Sequence, residues 1–565
     1  MKASILQLYL TLIVLFATTL LEAQTPNWAW AKSAGNNGGS DYMNGISTDK
    51  DGYVYITGSY QRDSLVLDTI TLHNSGLWDE IYLAKYDQNG NVQWAKDAGG
   101  ILDNDVGNAV ATDLNGNVYI TGIFTSDTAY FGSYNLVNAG GFKSDIFIAK
   151  YDAQGNVLWA RSAGGLNYDE ALAIATDNFG NVYITGWYSS DSIAFGSILL
   201  PQANGRDIFL VKYDPNGNVL WANSKGTISS EEAKGITTDQ SGNVYITGGY
   251  NSNSITFGNS TLINSNSNLS TDVFIAKYDS SGQEVWGKTA GGTGFDIVNS
   301  ISADLYGNLF ITGYYASSQF ITGSLSITNT GVTDFFAVKY DSSGTPVWLN
   351  TGNGFSSDQL LSSCTDQQGN LIAAGWFNSF SLNLGTTTLT HPGGTTSSNL
   401  LIVKYGPQGN LLWASTAIGN GISICTGVAT DTSDNVYTGG YFRGSTLTPG
   451  LISLSNSNPS GGDDIFFAKL GTTISGISID EISEHSLQVF PNPFSNQLNL
   501  QLRNLPNDVI ITIGNSLGQI IQTHKNINGN ELILNRGEIP SGMYFVSAIS
   551  NGIVITTTKV IVSDL

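Results

Sequence analysis

The sequence predicts an all-β chain: a seven-bladed β-propeller of four-stranded blades, each about 64 residues, closed by the N-terminal strand and followed by a small C-terminal β-sandwich. Three observations predict it. Seven tryptophans, Trp30, Trp94, Trp159, Trp221, Trp286, Trp348 and Trp413, recur at spacings of 64, 65, 62, 65, 62 and 65 residues. Seven glycines, Gly58, Gly122, Gly186, Gly248, Gly313, Gly375 and Gly440, run in step with them. Each closes a copy of D-x-x-G-N-V-Y-I-T-G, which is intact at 113–122 and 239–248. Finally, each period holds two pairs of β-prone runs joined by Gly-containing polar turns, without sustained helical periodicity. A fixed period over this length means one supersecondary unit copied and stacked, because a single unit cannot bury its apolar face alone.

Along the chain, residues 1–23 read as a secretory signal. Lys2 supplies the positive start, Ile5 to Leu21 is an uncharged apolar run, and Ala23 precedes the expected cut before Gln24. No other stretch is long and apolar enough to span a membrane, so no stable span is expected after cleavage.

Residues 24–470 carry the propeller. One repeat shows its grammar. Asn108 to Asp113 turns through Leu-Asn-Gly-Asn into Val118 to Gly122, and Asp145 to Asp152 turns through Ala-Gln-Gly-Asn into Val157 to Trp159. Two such hairpins make a four-stranded antiparallel sheet. Between them lies a weaker echo, Tyr130-Phe131-Gly132, Ala194-Phe195-Gly196 and Thr256-Phe257-Gly258, read as an extra ribbon per blade, all projecting on one side. The seventh Asp-Ile-Phe strand, 464–469, is followed by no tryptophan. Its missing partner is residues 27–32 at the other end of the chain, which match Gln93 to Lys96 and leave the ring without an open edge.

A polar connector, 471–485, leads to residues 486–565, where short β-prone runs predict the sandwich. This tail reads V-F-P-N-P-F at Val489–Phe494, then S-G-M-Y-F-V at Ser541–Val546, then Gly552 with Lys559 in the last strand. In these motifs and their order it resembles the C-terminal sorting domain of type IX secretion cargo in Bacteroidetes. The residues carrying the resemblance are Phe490, Pro491, Asn492, Pro493, Gly542, Tyr544, Gly552 and Lys559. It implies handling by the type IX secretion machinery and passage across the outer membrane. Tail cleavage would follow, with release or attachment to surface lipopolysaccharide, giving a secreted or outer-membrane-surface protein. The repeats in turn resemble the bacterial β-propeller repeat family, which implies a fold and no activity. Asp63-Ser, Asp68-Thr, Asp127-Thr and Asp191-Ser, each followed by an apolar or small residue in the ribbons, resemble the acceptor pattern of Bacteroidetes O-glycosylation.

The chain has 565 residues, with 23 Lys and Arg against 45 Asp and Glu, for a formal net charge of −22. Such a surface excludes binding to a nucleic-acid backbone, which needs clustered cations, and self-repulsion favours a monomer. Cys364 and Cys425 fit either one disulfide or two buried thiols. The D-x-x-G-N turns, such as those at Asp87 and Asp214, lack the spaced carboxylates and closing Glu of a calcium loop; their Asp and Asn read as hydrogen-bonding their own turn. His73, His391, His485 and His524 show no metal-ligand spacing, and no nucleophile elbow, P-loop or Cys-His pattern occurs, so no cofactor, metal or catalytic residue is expected. Glu231-Glu232 and Asp463-Asp464 are adjacent acids of the kind 45 carboxylates produce by chance. The ladder Trp and the motif Tyr read as core between blades. Aromatics outside the repeat are the candidate ligand contacts: Trp78, Trp187, Trp376 and Phe377, of which Trp187 and Trp376 directly follow a ladder glycine. The expected function is a non-enzymatic binding or adhesion module for a glycan or protein, the alternatives being a secreted polysaccharide-degrading enzyme or a purely structural display scaffold.

Overall fold

The computed structural model describes residues 26–471 and 486–564, except 37, 75, 101–102, 267–269, 392–396, 459–460, 504–508, 516–518, 526–530 and 551–552. The expected signal segment 1–23, nearly all of the connector and Gly552 lie outside the described residues. The chain divides into two compact units, Met1–Thr473 and Ile474–Leu565. Among the described residues every regular element is a strand.

In the first unit, four-stranded antiparallel sheets follow one another, as propeller blades do. The second shows the pattern: an inner strand Asp105–Thr112, then Val118–Phe124, Asp145–Tyr151 and the outer strand Val157–Ala163. Seven such sheets are present among the described residues, with inner strands Asp41–Thr48, Asp105–Thr112, Asp169–Thr176, Glu231–Thr238, Asp296–Ala303, Asp358–Thr365 and Ser423–Thr430. In the seventh, the outer strand is Trp28–Ala34, paired antiparallel with Asp464–Leu470.

The glycine ladder follows from a β-bulge. In every sheet the inner strand bulges opposite the glycine, between Ala171 and Ala173 in the third for example. The bulge drives a backbone carbonyl into the space of a side chain. A Cβ on Gly186 would lie 1.9 Å from the Glu170 carbonyl oxygen, and one on Gly58, Gly122, Gly248, Gly313, Gly375 or Gly440 would lie 1.9 to 2.0 Å from the equivalent oxygen. Only glycine fits there. In three sheets the bulged residue bridges to the next inner strand: Asn44, Asn108 and Asn299 donate to the carbonyls of Gly107, Ala171 and Leu360.

The rest of the motif is turn chemistry. Asp177 accepts the backbone N–H of Phe179 and Asn181, the Asn181 amide at 2.7 Å and the Tyr183 hydroxyl at 2.8 Å. The same bonds recur at Asp113 and Asp239. The turn Asp and Asn thus bind their own loop. Thr185 donates to the Phe209 carbonyl on the neighbouring strand at 2.6 Å, as Thr121 does to Phe147.

The tryptophan ladder joins sheet to sheet. Trp94 donates its indole N–H to the Ala153 carbonyl in the outer turn of the next sheet, and Trp159, Trp221 and Trp348 do the same to Pro215, Ser280 and Pro407. The turn glycine there, Gly217 with φ +80°, lies flat on the Trp159 ring where a Cβ would approach to 2.8 Å. At the inner strands a second tie links neighbouring sheets. Thr112 donates to the Thr48 carbonyl, Thr176 to Thr112, Thr238 to Thr176, Thr365 to Ala303, Thr430 to Thr365 and Thr48 to Thr430, all within 2.6 to 3.0 Å. These strand ends line a cavity of about 350 Å³.

Each of the first six sheets carries a two-stranded ribbon between its second and third strands, such as Thr128–Phe131 with Tyr134–Val137. The ribbon phenylalanine packs on a third-strand ring: Phe131 on Phe147 at 4.9 Å, Phe195 on Phe209 at 5.2 Å, Phe257 on Phe274 at 5.1 Å. All ribbons leave from the same end of equivalent strands, the end where the inner strands begin.

The second unit is two antiparallel sheets over one core. Ser486–Phe490, Gln497–Arg503 and Glu531–Asn535 form one; Ile510–Asn515, Ile520–His524, Gly542–Ser550 and Ile553–Val562 form the other. Leu498, Leu500, Ile511, Ile513, Val546 and Val560 fill the space between them.

Replacing Gly186 with Ala should force the second strand off the bulge and destabilise the first unit by about 3 kcal/mol or more. The control Gly141→Ala, in a loop with no atom within 4 Å of the new methyl, should act only through its positive φ and lose far less. Equal melting temperatures for the two variants would contradict the bulge explanation.

Candidate binding face and sorting tail

The ribbon end of the first unit is where the repeat becomes irregular. The second residue of each inner strand is Tyr42, Val106, Glu170, Glu232, Ile297, Gln359 or Ile424, so only the third and fourth sheets put carboxylates there. Glu170 accepts a hydrogen bond from the Asn108 amide of the second sheet at 3.3 Å and from the Trp187 indole. Burial raises its pKa, and the nearby charge of Glu232 adds to the shift. Lys234 pairs with Glu232 at 3.2 Å, and the Arg206 guanidinium stacks over the Trp187 ring at 4.0 Å. In the seventh sheet a second polar group forms. Arg443 binds Asp463 through two nitrogens at 3.1 and 2.6 Å, Tyr42 donates to the same carboxylate at 3.0 Å, and Tyr42 meets Tyr441 edge-on at 5.0 Å.

The sequence-chosen aromatics fare differently. Trp187 is 7% exposed, lying beneath Arg206, so a ligand meets the guanidinium first. Trp376 holds the equivalent place in the sixth sheet and is half-buried, beside Gln359. Trp78 is 52% exposed in the connection that follows the first ribbon. Phe377 is corrected: it is wholly buried, edge-on to His391 at 5.9 Å, and therefore a core residue. Its strand position is that of Tyr60, Tyr188, Tyr250 and Tyr315, all buried, and this alignment was the sequence signal that marks it as core. The Glu170 cluster was missed because Glu170, Asn108 and Glu232 stand about a repeat apart in sequence. Cys364 and Cys425 are free, and burial pushes both thiols up to about 12. Of the hydroxyls in the glycosylation-like pattern, Thr69 is exposed and Ser64, Thr128 and Ser192 are half-buried.

In the tail, the motif residues pin strands together. Asn492 donates to the Lys559 carbonyl at 2.9 Å and accepts the Ile561 N–H at 2.8 Å, so the Pro491-Asn492-Pro493 turn is fastened to the last strand. Phe490 is half-exposed, Gly542 opens the strand opposite Val562, Lys559 stands opposite Phe545, and the Tyr544 hydroxyl donates to the Pro540 carbonyl. Residues 488–563 match the family model described as secretion system C-terminal sorting domain. The tail is a type IX secretion sorting domain. It marks the protein as secreted or displayed at the cell surface. Residues 29–59 and 93–122 match the model described as beta-propeller repeat.

Two curated relatives match part of the chain. An uncharacterized WD repeat-containing protein, L264 of Acanthamoeba polyphaga mimivirus, is 28% identical over 441 residues, covering 62% of this chain and 31% of that protein. The regulatory protein FlaEY of Caulobacter vibrioides is 27% identical over 244 residues, covering 40% of this chain and 25% of its own. The chain spans less than a third of the length of either. Among solved structures, the Neurospora crassa Pan2 WD40 domain is 8% identical, with 80% of this chain and 99% of that one covered at a TM-score of 0.37. PorZ, a surface component of the type-IX secretion system of Porphyromonas gingivalis, is 9% identical, with 92% and 81% covered at a TM-score of 0.26. Among the described residues no helix is long and apolar enough to cross a membrane.

The same end of the sheets gathers buried acids. Asp169 accepts the N–H groups of Gly165, Ser189 and Ser190 and the Ser190 hydroxyl, and so holds two loops. Facing it from the preceding sheet is Asp145, whose Oδ1 is buried without a hydrogen bond, as are the Oδ1 atoms of Asp207, Asp272 and Asp334. Burial, with the facing carboxylate adding to it, pushes Asp41 to about 8, Asp145 to about 7 and Asp272 to about 6. An acid raised in the folded state stabilises the fold below its unfolded pKa, and that stability is lost as pH rises through the folded value. The outer-turn aspartates Asp87, Asp152 and Asp214 are lowered by hydrogen bonds from their own turns, and act the other way below about pH 4. Thermal stability should therefore peak near pH 5 and fall by several degrees by pH 8.5, with a shallower fall in Asp145→Asn. A melting temperature that is flat or rising from pH 5 to 8.5 would show that the buried acids are ionised at no expense.

Proposed function

We propose that the seven sheets close into a seven-bladed propeller, with Trp28–Ala34 completing the last blade, and that this exported disc is a non-enzymatic binding or adhesion module. Its ligand is a glycan or a protein, met at the ribbon-bearing face. The observation that carries the reading is the contrast between ends. One end of the sheets repeats the same Asp-Asn turn, whereas the ribbon end collects the departures: Glu170, Glu232, Lys234 and Arg206 on one side, Tyr42, Tyr441 and Arg443 on the other. A rigid scaffold with variable groups on one face suits recognition. The threonine hydrogen bonds that return from Thr48 to Thr430, and the pairing of Trp28–Ala34 with Asp464–Leu470, support the closure. Residues 1–23 would serve as the leader for the first membrane, the sorting tail for the second.

A second reading, hydrolysis of a polysaccharide, is favoured by one feature: Glu170 is a carboxyl with a raised pKa beside the charged Glu232, the pairing a glycosidase needs. Nothing supports it further. A display scaffold without a ligand is the third.

Two measurements test this. Deleting residues 26–34 should leave the seventh sheet with a bare edge and remove cooperative unfolding of the first unit; unchanged melting would refute closure. The exported protein should bind a defined set of glycans or matrix proteins on an array, and Trp376→Ala should weaken that binding. Silence across the array, combined with release of reducing ends from a polysaccharide in a Glu170-dependent manner, would replace the binding module with an enzyme.

A further inference from the structure

Between the first and second sheets, at the ribbon end of the rim, lies a cavity of about 610 Å³. The equivalent place between the fourth and fifth sheets holds one of about 360 Å³. The larger cavity coincides with two departures from the repeat, both in the first sheet. Opposite the last buried ring of the second strand the third strand places Asp145, Asp207, Asp272, Asp334, Asn399 and Asp464 in the other sheets, but Glu80, opposite Tyr60, in the first. Three residues after the ladder tryptophan stand Ser33, Ser162, Ser224, Thr289, Thr351 and Thr416, but Asp97 in the first sheet. Both substituted residues line the cavity.

In five sister sheets one carboxylate oxygen is held by a loop N–H, from Ala139, Ala203, Ser265, Thr330 or Ser457. Among the described residues no N–H or O–H donates to Glu80 or to Asp97, and no cation lies within 4.0 Å of either. Lys96 lines the same cavity but pairs with neither, and His73 stands at its edge. Asp105 is close, its Oδ2 and the Glu80 Oε1 both about 3 Å from the missing Cβ of Gly99, yet it is engaged by the N–H groups of Gly100 and Thr125.

An independent orphan points the same way. The hydroxyls of Tyr250 and Tyr315 reach Thr289 and Thr351, the residues equivalent to Asp97. The hydroxyl of Tyr60, at the same register and wholly buried, has no partner, although the charges of Asp97 and Glu80 act on it. Half-buried Glu80 and exposed Asp97 line the cavity without a donor, and the Tyr60 hydroxyl, buried near their charges, has none, a setting that suits a donor-rich cation. A metal ion does not fit, because no three His, Cys, Asp or Glu side chains among the described residues converge to hold one. The wall includes Tyr130, half-exposed, with Ser133 and Asn156, a mixture of ring face and neutral polar groups that suits a sugar.

We propose that this cavity binds a glycan through a free amino group, with Glu80 and Asp97 as the anionic partners of its ammonium and Tyr130 as the flanking ring. The assignment rests on the binding-module reading and names its ligand class. Burial beside Asp105 and Asp97 holds the empty-site Glu80 near 8, so capture of a cation near neutral pH should release a proton.

The test is calorimetric titration of the exported protein with a fully deacetylated glucosamine oligomer, its N-acetylated counterpart and oligolysine. Binding is expected for the amino oligomer, with proton release seen as a dependence of the heat on buffer. Glu80→Gln and Asp97→Ser, the latter restoring the hydroxyl of the sister repeats, should each weaken binding about tenfold or more at unchanged melting temperature. No binding of the amino oligomer, equal binding by its acetylated form, or equal binding by both variants would overturn the proposal. Tighter binding of oligolysine would overturn it in favour of a protein ligand. A different glycan found on the array and indifferent to both substitutions would remove this site while leaving the binding module standing.

Discussion

The first unit depends on one donor that cannot be satisfied within its own sheet. A half-buried indole N–H needs an acceptor, and for Trp94, Trp159, Trp221 and Trp348 that acceptor is a turn carbonyl of the next sheet. Each sheet is thereby completed by its neighbour. Between the seventh sheet and the first the same clasp works with the chain reversed: Trp30, on the N-terminal strand of the seventh sheet, donates to the Gln88 carbonyl of the first. Trp413 would need an outer turn on the seventh sheet, which that sheet lacks because its outer strand arrives from the N-terminus. It packs instead with Trp28 and Leu470. Sequence and sheet order thus express one constraint.

What was legible in the sequence is what every sheet needs equally. The glycines recur because the bulge in the inner strand leaves no room for a Cβ. The Asp and Tyr of the motif recur because they bond across a turn. The ribbons were visible through Phe131, Phe195 and Phe257, whose rings stack on the sheet; the seventh, at Thr446–Thr448 and Leu454–Ser455, has no such ring and left no echo. The candidate site was much less legible. Choosing aromatics for being outside the repeat selected Phe377, which occupies a repeated core position, and Trp187, whose face is taken by Arg206. Glu232 and Asp463 were set aside as chance neighbours of Glu231 and Asp464. The strand pleat separates them: Glu231 and Asp464 turn into the acid pairs between sheets, while Glu232 and Asp463 join Lys234 and Arg443 at the ribbon end.

The acid pairs reveal a tension built into the repeat. One member, such as Asp169 or Asp296, is useful as an acceptor that organises the loops around it. The other faces it from the preceding sheet with a bare oxygen set against a loop glycine. Six junctions keep both acids. At the junction of the sixth and seventh sheets both are neutral, as Asn399 and Ser423, and Ser423 organises the strand by bonding the Leu400 N–H and the Ser398 carbonyl. The architecture therefore does not require the charges.

That neutral junction sharpens the meaning of Glu80 and Asp97. If the fold tolerates Asn and Ser in place of the acids, then lengthening one acid and adding another beside it serves no structural need that the sister sheets share. A merely tolerated substitution drifts toward groups that satisfy themselves; Thr289 and Thr351 do so, bonding a tyrosine hydroxyl and a strand carbonyl at once. Asp97 gives up both contacts, leaves Tyr60 without a partner and lines the rim cavity of about 610 Å³. In a repeat protein, where identical constraints erase individuality from most positions, a departure that worsens the local hydrogen bonding is accounted for by what binds there.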